Sequence, residues 1–348
     1  IAAVAAIAFC TSAFAETTNS FKVSGYLRAG LSSTMESSPA LSTKTWLGGI
    51  YFNGDSSKTR GRLNLSFDGS NDTADYGAFL RLQYTGKDDS ASASWGYGDV
   101  SYAFAYAGLF NNMFTVAAGK LKDNWIGSSG FEGYSVLDGK SGALVSFVPV
   151  KGLTIAGAGI IDYSRNDSGT DEMKGDTFLG GVKYSADGLA ADISYAGYGL
   201  ITANITLTGF DNLVLSAETK IDTDHGMDVL GDQRAVIDEY VKYTGISGWT
   251  FGLLSFQTID SRKIAGDSDF QFTITPAVAY QINNVIGLSA EATYRQGIYD
   301  NAPNGYMTIV PAVKFSADKS ASADLWASIS TDNGREKSSI GLGVIKEF

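Results

Sequence analysis

The stretch FQFTITPAVAYQ, residues 270–281, alternates along its whole length. In an extended chain Phe270, Phe272, Ile274, Pro276, Val278 and Tyr280 project from one face. Gln271, Thr273, Thr275, Ala277, Ala279 and Gln281 project from the other. A period of two is a strand signal, because a helix repeats its apolar stripe every 3.6 residues. The greasy face of such a strand must lie against a protein core or against lipid.

The same pattern runs from end to end. FKVSGYLRAGL sets Val23, Leu27, Ala29 and Leu31 against Lys22, Ser24, Tyr26 and Arg28. RLNLSF, AFLRLQY, IGLSAEATYR, MTIVPAVKF and ADLWASIS alternate in the same way. Short turns fall at DGSND, GLFNN, PVKG, SADG, GFDN, TGISG, QINN and SADKS. Longer polar stretches lie between them, at about 32–60, 86–96, 120–141, 164–175, 222–235, 258–269 and 295–305. Short connections at one end and long ones at the other are the wiring of an up-and-down meander. The expected fold is all-β: a transmembrane antiparallel up-and-down β-barrel of 16–18 strands, both termini at the short-turn end. Eighteen is the direct reading; residues 196–198 and 332–335 are poor external loops and keep sixteen open.

A β-sandwich also alternates, but three features favour lipid. Segments of about 9–11 residues match the tilted span of a bilayer. Phe67, Tyr84, Phe270, Tyr280, Tyr294 and Phe315 sit near segment ends on the apolar side, as interfacial girdles do. Charges fall mid-segment on the opposite side. That inward set is Lys22, Arg28, Arg62, Arg81, Lys183, Lys220, Lys242, Arg295 and Lys314, against Asp192, Glu218 and Glu291. Closure is required too, since an open edge in hydrocarbon leaves backbone groups unpaired. Pro276 and Pro311 oppose the assignment, and a β-bulge at each would accommodate them.

Composition excludes several classes. Charged residues are 18% of the chain, and its formal net charge is −11. No basic cluster offers itself to phosphate, so nucleic acid is not an expected partner. IAAVAAIAFCTSAFA has the apolar core and small-x-small end of a secretory signal, Ala13-Phe14-Ala15. The expected division is a signal-peptide remnant over 1–15 and a single barrel over 16–348. Cys10, the sole cysteine, lies in that segment; a lipoprotein acceptor is the alternative, with bulky Phe9 against it. A chain cleaved after Ala15 has no thiol for disulfides, nucleophilic catalysis or thiolate metal sites.

No catalytic motif stands out, and no cofactor or metal is expected. The sole histidine, His225, has no nucleophile motif beside it. Asp222, Asp224 and Asp228 break EF-hand spacing, because Gly226 is fifth where the sixth is needed. Trp46, Trp125 and Tyr134 are loop aromatics able to stack on sugars or to anchor and pack the loops.

The chain at this point resembles the general porins of Gram-negative outer membranes. FKVSGYLRAGL is similar to their first strand, and FTVAAGKL to the strand before their constriction loop. GALVSFVPVKGLTIAGAGIIDYS resembles the hairpin that follows. IGLGVIKEF resembles their C-terminal strand, whose terminal Phe348 would be the assembly signal; Lys346 departs from the usual apolar residue. The resemblance implies a third loop, about 120–141, folded into the lumen with Asp123, Glu132 and Asp138. Those acids would face Arg28, Arg62 and Arg81 across a constriction, with Lys183, Asp192, Glu218, Lys220, Glu291, Arg295 and Lys314 lining the lumen. It implies a passive channel for ions and small hydrophilic solutes, with a weak anion preference. It further implies outer-membrane lipid, the barrel-assembly machinery and a homotrimer as surroundings. A non-conducting surface or adhesin barrel and a soluble secreted β protein are the other classes compatible with the residues.

Overall fold

The structure is a computed structural model. It describes residues 18–34, 60–71, 74–85, 99–128, 130–131, 133–165, 171–223, 233–260, 270–296, 306–318, 320–332 and 335–348. The segment 1–15, Trp46, Glu132, Asp224, His225 and Asp228 lie outside the described residues, as does the side chain of Arg28.

Eighteen strands follow one another. The first six are β1 (Thr18–Thr34), β2 (Arg60–Ser70), β3 (Asp75–Thr85), β4 (Asp99–Leu109), β5 (Phe114–Lys120) and β6 (Ser141–Val150). Next come β7 (Leu153–Arg165), β8 (Asp171–Ala186), β9 (Leu189–Ala196), β10 (Leu200–Phe210), β11 (Leu213–Asp222) and β12 (Gln233–Tyr243). The last are β13 (Trp249–Asp260), β14 (Phe270–Gln281), β15 (Ile286–Gln296), β16 (Tyr306–Asp318), β17 (Ala321–Asp332) and β18 (Arg335–Glu347).

Each strand pairs antiparallel with the next, and β1 pairs with β18 from Tyr26 opposite Glu347 to Thr34 opposite Ser339. The sheet is therefore a closed barrel with no free edge. Closure extends to the last residue: Phe348 N–H donates to Gly25 O at 3.0 Å and Gly25 N–H to Phe348 O at 2.8 Å. The count is eighteen because both doubtful connections are true hairpins. Residues 197–199 join β9 to β10, with Gly199 at φ +93, and residues 333–334 separate β17 from β18.

Neither proline makes a bulge, which corrects the expectation drawn from the sequence. β14 keeps one register against β15, with pairing interrupted only at Thr275 and Pro276. Its ladder to β13 runs unbroken through Pro276 opposite Leu253. Pro311 pairs normally with Ala290 on β15, and only the β17 side opens, at Val310 and Pro311. In an antiparallel ladder each residue's backbone groups address one neighbour only. A missing N–H thus opens one side, and the other side holds the register.

The outer surface is apolar. Val116, Val145, Ile193, Ile205, Leu253 and Leu342 are among its exposed side chains. Aromatic residues gather at both ends. Tyr243, Trp249, Phe251 and Tyr280 lie by the short turns, and Phe178, Tyr195, Phe270 and Phe272 toward the other rim. Strands of about 11 residues tilted by about 40° span about 25 Å, the height of a bilayer-spanning apolar band. Lys346 lies exposed by the short turns, 3.5 Å from Asp318 and donating to Ser320 Oγ at 2.5 Å.

One charge breaks the alternation. Asp238 and Glu239 are consecutive in β12, so they must face opposite sides. Asp238 points inward, buried, and Glu239 is exposed on the outer face, where Gln257 Nε2 donates to its Oε2 at 3.2 Å.

Candidate functional site

The inner face of the barrel is not uniformly polar. Along β6, β7 and β8 it carries Leu144, Ala156, Ala158, Ile160 and Leu179, all buried. Over this patch the strands are apolar on both faces because the loop between β5 and β6 covers the inner one. The cover begins at Gly119, whose φ is +126 and where a Cβ would fall 2.2 Å from Ala103 O, so that glycine lets β5 turn into the lumen. Leu121 and Lys140 close the neck, with Leu121 N–H donating to Lys140 O at 2.7 Å. Leu121, Ile126, Val136 and Leu137 then bury themselves against the apolar wall. Trp125 sets its ring edge on Phe104 at 5.7 Å.

The far side of this loop is fastened to one register row. Lys183, Asp192, Asn204, Glu218 and Asp238 lie directly opposite one another on β8 to β12, all facing inward. Lys183 Nζ donates to Gly127 O at 3.1 Å. Asn204 Nδ2 donates to Tyr134 O at 2.8 Å and to Asp192 Oδ1 at 2.7 Å. Glu218 Oε2 accepts Gly133 N–H at 2.8 Å and Tyr134 N–H at 3.4 Å. The Tyr134 hydroxyl donates to Asp238 Oδ2, and the Lys220 ammonium sits 4.0 Å from the centre of the same ring. Gly130 allows the approach, since a Cβ there would fall 2.1 Å from Glu218 Cδ. Glu218 and Asp238 are like charges directly across a strand pair, a destabilising arrangement in itself. Donors from the loop offset it.

The arginines lie on neighbouring strands. Arg62 donates to Gln83 Oε1 through Nη2 at 2.9 Å and lies over the Tyr26 ring. Arg81 Nε donates to Asn64 Oδ1 at 2.8 Å, and its guanidinium lies 4.7 Å from the centre of the Tyr102 ring. Tyr102 in turn donates to Asp138 Oδ1 at 2.5 Å. Arg81, Tyr102 and Asp138 thus form a chain from wall to loop. Among the described residues neither arginine makes an ion pair. Burial, then the Asp138 carboxylate, push the Asp123 carboxyl above its usual range; Lys122, a backbone hydrogen bond and Lys183 oppose the shift.

The remaining positions from the sequence are dispersed. Glu291 is buried on the inner face of β15, and Arg295 is exposed near the end of that strand. Lys314 lies directly across from Asp324. Sequence reasoning missed Asn204 and Asp238 as loop partners. The adjacent acids of AVIDEYVKY were a signal for Asp238, and the unalternating GALVSF and LTIAGAGII were one for a covered inner wall. Trp125 and Tyr134 pack the loop.

No protein-family model matches the chain, and no curated protein does. Solved structures match. A mutant porin of Rh. blastica superposes with TM-score 0.54 at 15% identity, over 94% of this chain and 100% of that one. Another mutant of that porin gives TM-score 0.55 at 14% identity with the same coverage. Acinetobacter baumannii OccAB4 gives TM-score 0.59 at 10% identity, over 94% of this chain and 98% of that one. The likeness is one of fold: a closed antiparallel transmembrane barrel.

Proposed function

We propose that the chain is an outer-membrane porin, a passive water-filled channel for ions and small hydrophilic solutes. The observation that carries this reading is how the internal loop is held. It docks along the arc from β4 to β12, and its Asp138 accepts the hydroxyl of Tyr102, the ring that the Arg81 guanidinium of β3 overlies. Opposed charges across a narrow passage set a transverse field that orients water and polar solutes and sets ion preference. Lys183, Glu218 and Lys220 are occupied in holding the loop, and Asp192 accepts from Asn204, which also holds it. Ion preference then rests on Arg62 and Arg81, with Arg28 beside them in β1, against Asp123, Glu132 and Asp138. These stand three against three; the inward set read from the sequence, in which bases outnumber acids, tips the balance to a weak anion preference.

Transport is downhill and needs no covalent chemistry or cofactor. The surroundings proposed are outer-membrane lipid, export through a cleaved signal, insertion by the barrel-assembly machinery with Phe348 as its cue, and a homotrimer. Planar-bilayer recording under a salt gradient tests the reading. The barrel should conduct, and Arg62→Glu or Arg81→Glu should move the reversal potential toward cation preference. A conducting barrel whose reversal potential ignores both substitutions has its constriction elsewhere. A folded barrel that does not conduct is a plugged surface protein.

A further inference from the structure

We propose that the cleft beneath Trp125 binds an organic cation: an ammonium or amidinium head carried on a ring or short apolar chain. The proposal rests on the water-filled lumen of the reading above and adds a class of ligand to it.

The cleft lies between the inner wall of β2 to β5 and the first turn of the internal loop, toward the short-turn end. Its volume is about 320 Å3, at the small end of the roughly 300–1,000 Å3 range of small-molecule sites. Phe79, Phe104, Tyr106 and Trp125 give it ring surface, and Asp68 and Asp75 give it charge. The rings support one another, with Phe104 5.7 Å from both Phe79 and Trp125 between centres. The carboxylates are positioned by neutral donors. The Tyr106 hydroxyl donates to Asp68 Oδ1 at 2.9 Å, and Asn112 Nδ2 donates to Asp75 Oδ2.

Those donors fix the carboxylates without neutralising them. Among the described residues neither has an ion pair; Lys22, opposite Ser66 in register, makes none with them. Two carboxylates without an ion pair, beside aromatic rings, favour a positive charge with an apolar body. The ring quadrupole attracts the same cation, by about 0.5–2 kcal/mol. Anions are repelled. A calcium-like ion needs six to eight oxygen ligands, and the ring walls deny them. A neutral sugar could stack on the rings but gains nothing from the charges.

The test is calorimetric titration of the purified barrel in neutral detergent with benzyltrimethylammonium, beside benzyl alcohol and glucose. The expected result is saturable binding of the cation alone, weakening as salt rises. In the Asp68→Asn, Asp75→Asn double variant affinity should fall by roughly tenfold or more, as expected for removing two nearby charges. The new amides still accept the bonds from Tyr106 and Asn112, and unchanged heat-modifiable gel mobility confirms that the variant is folded. Trp125→Leu should weaken binding several-fold. No saturable binding of the cation, binding indifferent to the double variant, or equal binding of glucose or benzyl alcohol would each overturn the proposal. Binding is read without conduction. A barrel that conducts but does not bind refutes this inference alone; one that binds but does not conduct refutes the channel.

Discussion

Asp123 is held above the ordinary carboxylate range by burial and by its neighbour Asp138. A raised acid favours its protonated form in the folded state. The stability linked to this group is fully present below its unfolded value, about pH 3.9, and is lost as pH rises through the higher folded value. In the channel, Asp123 therefore discharges earlier on acidification than a solvated aspartate. Reversal potentials recorded from neutral pH downward should drift toward anions, and Asp123→Asn should remove the early part of that drift. A variant that drifts just as the parent does would place the titrating group elsewhere. Glu239 shows the limit of reasoning residue by residue. Its outward position follows from parity with Asp238, but its partner Gln257 lies on the next strand and was not visible from the pattern alone.

At the scale of elements, the loop and the wall beneath it are one unit. Leu121, Ile126 and Leu137 need the apolar inner faces of β6 to β8, and those faces need the loop to exclude water. Glu218, 2% exposed, accepts two backbone N–H groups there. Charge-assisted bonds of this kind contribute about 1.5–3 kcal/mol each. Glu218→Ala should loosen residues 130–134 without opening the barrel. Hydrogen exchange at Gly133 and Tyr134 should quicken at least tenfold while exchange in β14 to β17 stays slow. Uniform quickening in every strand would mean that Glu218 supports the barrel rather than the loop. The prolines teach a related lesson. Sequence rules treat a strand proline as a defect of the whole strand, whereas β14 and β16 each lose pairing on one side only.

For the whole molecule, closure is the decisive event. The β1–β18 seam is completed by Phe348, whose backbone exchanges both hydrogen bonds with Gly25. Deleting Phe348 removes those two bonds, worth about 0.5–1.5 kcal/mol each. The barrel should still form, but its heat-modifiable gel transition should fall by a few degrees; an unchanged transition would show that the seam ends before the last residue. The fold was legible because a period of two is written into each segment independently, as are turns such as SADG and GFDN. The inward side of Arg62, Arg81, Lys183 and Glu218 follows from that same local parity. What parity cannot state is which inward residues meet across the lumen. The row from Lys183 to Asp238 is assembled by the register of five strands, and its pairing with Tyr134 by a loop that folds back some seventy to a hundred residues earlier in the chain. Sequence determined the faces, because each depends on neighbours two residues apart. Only the closed tertiary structure decided the contacts, because those depend on where the ends of the sheet meet.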